Sequence, residues 1–74
     1  MASMKAVYDR ETDTLHLTLR EGTIESSEEI RPGVILDFDA EGNVVSIEIL
    51  DASQRTHAPN CMEFAVAAPS PAVL

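Results

Sequence analysis

Basic side chains are scarce in this sequence. Five lysines and arginines face thirteen aspartates and glutamates, a formal net charge of −8 over 74 residues. That balance repels phosphate backbones and anionic headgroups, so it excludes a nucleic-acid-coating protein and a membrane-surface protein and favours a basic protein as partner. Cysteine is nearly absent: Cys61 is the only one, so no disulfide closes within the chain and a reducing compartment, the cytoplasm, is the expected setting. No stretch approaches the ~18 apolar residues of a membrane span, and Met1 to Lys5 leads into a strand-like pattern without an apolar signal segment. Gly22, Gly33 and Gly42 stand alone as turn residues, so no phosphate-cradling loop is present. No segment has the length and period of an amphipathic helix able to cover a sheet.

What is there is alternation. Apolar residues make up 45% of the chain, too many for a disordered tail, and they recur with period two. Leu15, Leu17 and Leu19 alternate with His16, Thr18 and Arg20; Val45, Ile47 and Ile49 alternate with Ser46 and Glu48. Each run follows another strand-like run, Met4 to Asp9 and Val34 to Asp39, across residues 10–13 and 40–43, which are rich in turn formers. Two hairpins result.

A four-residue loop sorts the side chains onto faces, whereas a one-residue slip would mix them. In the second hairpin it sets Asp39 opposite Val44, Phe38 opposite Val45, Leu36 opposite Ile47 and Val34 opposite Ile49. Ile35, Asp37, Ser46 and Glu48 fall on the other face. In the first hairpin it gathers Met4, Ala6, Tyr8, Leu15, Leu17 and Leu19, with Lys5, Val7, His16 and Thr18 behind them. The hairpins are alike: an aromatic closes the apolar face, and the following Asp9 or Asp39 can bond its own turn backbone.

Between the hairpins, Ile24 to Ile30 forms a more polar strand whose Ser26 and Glu28 suit a sheet edge, and Arg31-Pro32-Gly33-Val34 fits a type II turn. Asp51 to Arg55 reads as one helical turn capped by Asp51, and Met62, Phe64 and Val66 as a last short strand. Seventeen of the eighteen charged residues lie by position 55, and three of the four prolines lie beyond it. The expectation is a mainly β fold: an antiparallel meander of five to six short strands built from two similar hairpins, with a helical turn near residues 51–55. A single small β domain spans 4–67, and 68–74 form an extended C-terminal tail.

A chain this short buries only about 60–65% of its unfolded surface, so a second copy is the natural way to complete the core. The expected product is a homodimer joined through Val34, Leu36, Phe38, Val45, Ile47, Ile49 and the leucine strand, stacked face to face; a half-barrel closing over its own tail is the other possibility.

The run Met4-Lys5-x-x-Tyr8-Asp9-x-Glu11-x-Asp13-x-Leu15-x-Leu17-x-Leu19, followed by Pro32-Gly33-Val34-Ile35-Leu36-Asp37-x-Asp39-x-x-Gly42-Asn43-x-Val45-x-Ile47-Glu48-Ile49-Leu50-Asp51-Ala52-Ser53, resembles the domain-of-unknown-function family 2283. The likeness covers roughly residues 4 to 55. It implies a small β-rich bacterial protein and brings no activity, cofactor or catalytic residue with it.

Candidate sites are few. Asp37-x-Asp39-x-Glu41-Gly42-x5-Glu48 satisfies a relaxed calcium-loop pattern, making Asp37, Asp39, Glu41 and Glu48 the metal candidates. Strand alternation on both sides argues against it, because such a loop needs flanking helices; turn chemistry and a solvated acidic face explain the same residues. Asp9, Glu11 and Asp13, with Asp37, Asp39 and Glu41, could be paired carboxylates for metal-assisted or glycoside hydrolysis, although no apolar pocket is implied to raise one of them. His57 and Cys61 have helical spacing, but Pro59 interrupts it, leaving a loop and a buried thiol. His16 reads as a solvated sheet residue by default, or as part of a second interface. No catalytic residue and no cofactor is assigned. The expected function is a non-enzymatic protein-interaction module, acting as a homodimer and pairing with a basic partner; the alternative is a small metal-dependent hydrolase or calcium-binding module using the hairpin-tip carboxylates.

Overall fold

The computed structural model describes residues 3–69. They form five strands, β1 (Lys5–Asp9), β2 (Thr14–Thr18), β3 (Ser26–Arg31), β4 (Val34–Phe38) and β5 (Val44–Ile49), and one short helix, α1 (Ala52–Arg55). All pairings are antiparallel, so the mainly β architecture with a helical turn stands as expected. In the sheet the order is β1-β2-β5-β4-β3. β3, β4 and β5 follow one another, and the first hairpin joins by laying β2 against β5. The strands with the richest apolar alternation, β2 and β5, thus take interior positions, and polar β3, exposed at every residue, takes an edge.

Residues 19–25 carry the chain from β2 past the ends of β5 and β4 to that edge. They are tied down by hydrogen bonds from the Leu19 and Arg20 N–H groups to the Val45 carbonyl (2.8 and 3.4 Å) and from Glu25 N–H to the Phe38 carbonyl (2.7 Å). Gly22 passes so near Val45 that a Cβ on it would lie 3.6 Å from Val45 Cγ2. Val45 is consequently buried within its own chain, and it is not free for the face-to-face contact with a second copy that its sequence position suggests.

The first hairpin has the expected four-residue loop, with Asp9 opposite Thr14 and Ala6 opposite Leu17. In the second, Leu36–Ile47 and Val34–Ile49 pair as expected, but Phe38 faces Val44 rather than Val45 across a register shift after Asp37. The turn explains the correction. Asp39 N–H bonds the Asn43 carbonyl while the Asp39 carboxylate receives the N–H groups of Glu41 and Asn43 (3.0 and 2.9 Å). Closing the loop at Asp39 and Asn43 leaves one extra residue on β5, which a bulge absorbs.

Cross-strand ladders define two faces. Ala6–Leu17–Ile47–Leu36–Glu28 and Tyr8–Leu15–Ile49–Val34–Arg31 line one; Lys5–Thr18–Ser46–Asp37–Ser27 and Val7–His16–Glu48–Ile35–Glu29 line the other. The apolar rows end in charged residues at β3, which keeps that edge wet. Gly33, at φ 83°, supplies the left-handed position of the Pro32-Gly33 turn.

α1 is anchored from outside. Asp51 adopts a left-handed conformation (φ 51°) and gives no side-chain cap. Asp13 caps the helix instead, its carboxylate receiving the Ser53 N–H and hydroxyl and its carbonyl receiving the Ala52 N–H. At the other side Arg55 Nη2 donates to the Pro32 carbonyl (2.6 Å). The helix therefore bridges the β1–β2 and β3–β4 turns, with Ala52 wholly buried beneath it.

Met62 to Val66 do not form the sixth strand that their alternation suggests. Residues 61–69 run outside the sheet, with Phe64 77% and Val66 84% exposed. An isolated strand gains too little to persist without a neighbour that accepts its backbone groups. Residues 70–74 of the expected tail lie outside the described residues.

Candidate functional site

The polar face holds a cluster that strand alternation brings together. Asp37, near the end of β4, is 1% exposed, as is Ser46 directly opposite on β5. Ser27 Oγ from β3 donates to one Asp37 oxygen (2.6 Å) and Ser46 Oγ from β5 to the other (2.5 Å). One carboxylate thereby fastens three strands. Glu48, one step along β5 on the same face, is its neighbour, and His16 of β2 sits directly opposite Glu48.

Burial alone would raise the Asp37 carboxyl, but the hydroxyls of Ser27 and Ser46, the adjacent Glu48 carboxyl and the nearby His16 ring hold it below its ordinary value. Glu48 moves the other way: its interaction with the Asp37 carboxyl, burial and the Asp37 charge push it above its ordinary value, against a smaller opposing effect of His16. The two carboxyls titrate as a pair, Asp37 held down and Glu48 pushed up by their contact. His16 Nε2 is enclosed and has no hydrogen-bond partner.

These findings correct two expectations. The acidic face is not simply solvated, because its central carboxylate is enclosed; nor is His16 a solvated sheet residue. The four-residue register already places Asp37, Ser46 and Glu48 on one face, but nothing in the alternation signals that Ser27 would close over them. Chemically the dyad could exchange a proton, yet Asp37 is screened by its own neighbours and offers no atom to a substrate. Its evident work is to fix the β3–β4–β5 register, since a slip would strand a charge among unpaired hydroxyls.

The remaining carboxylates serve turns. Asp9 Oδ1 accepts from the Glu11 and Thr12 N–H groups (2.9 and 3.4 Å), and Asp39 does the same for its own loop, which lowers its pKa through the Asn43 N–H foremost. Asp13, at φ 54°, accepts the Tyr8 hydroxyl (2.6 Å) as well as Ser53, and these bonds hold its carboxyl below the ordinary range. Of the four metal candidates, Asp37 and Glu48 lie together on the polar face while Asp39 and Glu41 belong to the turn. Among the described residues no three His, Cys, Asp or Glu side chains are gathered as a metal would require. Cys61 is exposed, not buried, because the segment after α1 leaves the sheet, and its N–H closes a turn onto the Ala58 carbonyl (3.0 Å).

On the apolar face the segment after α1 and the first hairpin leave an open groove of about 490 Å³, lined by Met4, Ala6, Leu17, Leu19, Met62 and Phe64 among others. Met4, Met62 and Phe64 are each more than half exposed. Among the described residues no helix is long and apolar enough to cross a membrane.

Comparison with known proteins supplies a family and no activity. Residues 5–53 match the family described as "Protein of unknown function (DUF2283)". No curated protein and no solved structure matches the chain.

Proposed function

The chain belongs to the DUF2283 family, a family of unknown function, and from its geometry we propose that it is a non-enzymatic protein-interaction module that works as a homodimer. One observation carries this reading. The chain exposes 6068 Å², whereas a compact monomer of 8.0 kDa exposes about 4,450 Å². Residues 61–69, which run outside the sheet, carry part of that surplus, and a second copy docked on them and on the sheet would remove an area of this order. Much of the excess is apolar: Met4, Val7, Ile24, Ile30, Met62, Phe64 and Val66 are all between 46% and 84% exposed.

The partner beyond the second copy is a basic protein. Glu25, Glu28 and Glu29 lie along fully exposed β3 and its approach, in a chain of net charge −8, and such a stripe steers and orients a cationic surface. The hydrolase and calcium readings draw less support, because Asp9, Asp13 and Asp39 already accept backbone or side-chain donors. An exposed lone cysteine suits a reducing compartment, so the cytoplasm is the proposed location.

Native mass spectrometry at micromolar concentration tests the proposal. The expected species is a dimer that binds a lysine-rich probe protein with an affinity falling steeply as salt is raised. A stable monomer overturns the homodimer, and salt-independent or absent binding overturns the basic partner.

A further inference from the structure

The two edges of the sheet are built differently. β3 carries adjacent glutamates, Glu28 and Glu29, and a register shift between Glu29 and Arg31, devices that discourage a second chain from pairing there. β1 has neither. Its pairing with β2 runs without a shift from Lys5 to Asp9, its sequence Lys-Ala-Val-Tyr-Asp carries one charge of each sign, and four of its five residues are exposed. In a chain of net charge −8, this edge is the neutral one.

The order of those five residues has a further property. Laid antiparallel against itself about Val7, the strand pairs Lys5 with Asp9, Ala6 with Tyr8 and Val7 with Val7. Opposite charges meet at both ends, and an apolar side chain that is 48% exposed in the single chain meets its own copy at the centre. Lys5, Val7 and Asp9 share the polar face, while Ala6 and Tyr8 share the apolar one. The neighbouring registers, displaced by one residue on either strand, lose the match of charge to charge.

We propose that two copies join through β1, antiparallel about a two-fold axis at Val7, into one ten-stranded sheet. The inference rests on the homodimer reading above and names its interface. A two-fold contact of this kind is self-complementary, as closed dimers require, and it removes the unguarded edge from solution. It also sets the two apolar grooves on the same side of the joint sheet, flanking the seam, where Met4, Met62 and Phe64 of both copies stand exposed.

The test is a cross-link read beside the native mass spectrum, with Cys61→Ser as background because that thiol is exposed. In this background Val7→Cys places two thiols directly opposite, with Cα atoms ~4.5–5.5 Å apart, inside the range a disulfide accepts. Mild oxidation should convert the dimer to its covalent form through position 7, whereas Ile35→Cys, three strands inward on the same ladder, should not cross-link. In parallel, Lys5→Glu should weaken the dimer about tenfold by setting like charges opposite at both ends of the seam. Adding Asp9→Asn, which retains an oxygen for the Glu11 N–H, should restore most of the loss. Dimers that cross-link at Ile35→Cys or Leu36→Cys but not at Val7→Cys would overturn the β1 seam and leave the homodimer standing. A monomeric spectrum would overturn both.

Discussion

The carboxylate of Asp13 receives both the backbone N–H and the hydroxyl of Ser53, at 3.0 and 2.7 Å, across forty residues of sequence. The same carboxylate accepts the Tyr8 hydroxyl, so the β1–β2 turn, the apolar face and α1 are fixed at a single point. A four-residue helix is far too short to persist on its own propensity. α1 exists because its first turn is capped from the β1–β2 turn and its last side chain is held at the β3–β4 turn.

Two replacements of Asp13 measure what the residue contributes. Asp13→Ala removes the cap and places alanine at φ 54°, and should lower the melting temperature by about 5–10 °C. Asp13→Asn tolerates the left-handed backbone and keeps an acceptor oxygen, so it should cost roughly half as much. Circular dichroism melts of the two variants check this; equal losses would mean that the carboxylate charge, rather than an acceptor oxygen or left-handed tolerance, carries the contribution.

Gly33 and Gly42 form a matched pair. Both have left-handed backbones, at φ 83° and 84°, but a Cβ on Gly33 would lie 2.6 Å from Arg55 Nη2 while one on Gly42 would meet nothing within 4 Å. Gly42→Ala should therefore cost only backbone strain, about 1 kcal/mol. Gly33→Ala should cost a further ~0.5 kcal/mol, because the guanidinium must give up its bond to the Pro32 carbonyl. In an Arg55→Ala background the difference between the glycines should vanish, a double-mutant cycle readable by urea denaturation.

Much of this fold is legible in the sequence, and its gaps share a cause. Period two and the turn residues place every strand and the first register, because a slip would move Leu15 and Leu17 to the wrong face. The Asx turn at Asp39 is legible too, but its consequence, the extra residue in β5, depends on how tightly the loop closes. Asp13 capping Ser53 is invisible because its partners are remote in sequence. The enclosure of Asp37 is invisible for a related reason: alternation assigns a side chain to a face, while burial depends on which neighbouring strand lies beside it. Here that neighbour is β3, whose Ser27 hydroxyl completes the cluster. Met62, Phe64 and Val66 misled because an alternating run makes a strand only where an edge accepts it.

Asp37 is the sharpest test of that cluster by substitution. Asp37→Ala leaves the Ser27 and Ser46 hydroxyls without their acceptor in an enclosed site, and should destabilise the fold by about 2–3 kcal/mol. Asp37→Asn keeps one acceptor oxygen, for one of the two hydroxyls, and offers its NH2 to the oxygen of the other, so it should lose less. Hydrogen exchange adds a spatial check: with alanine, protection should fall first along β3, which then keeps only its backbone bonds to β4.

The Asp37–Glu48 pair also sets a pH dependence whose two limbs have opposite sign. Asp37 titrates below its unfolded value, so its contribution is present above the ordinary aspartate range and is lost as pH falls through the lowered folded value. Glu48 titrates above its unfolded value, so its contribution is complete below the ordinary glutamate range and is lost as pH rises through the raised one. The two contributions overlap between the ordinary aspartate and glutamate ranges, so stability is greatest in mildly acidic solution. Urea midpoints should accordingly be higher at about pH 4.5 than at about pH 8. Net charge also disfavours the compact state as pH rises, so the comparison needs a control of equal charge. Glu48→Gln should flatten the alkaline decline, while Glu28→Gln, on exposed β3, removes the same charge and should leave most of it. Equal flattening by both variants would assign the pH dependence to net charge rather than to the Asp37–Glu48 pair.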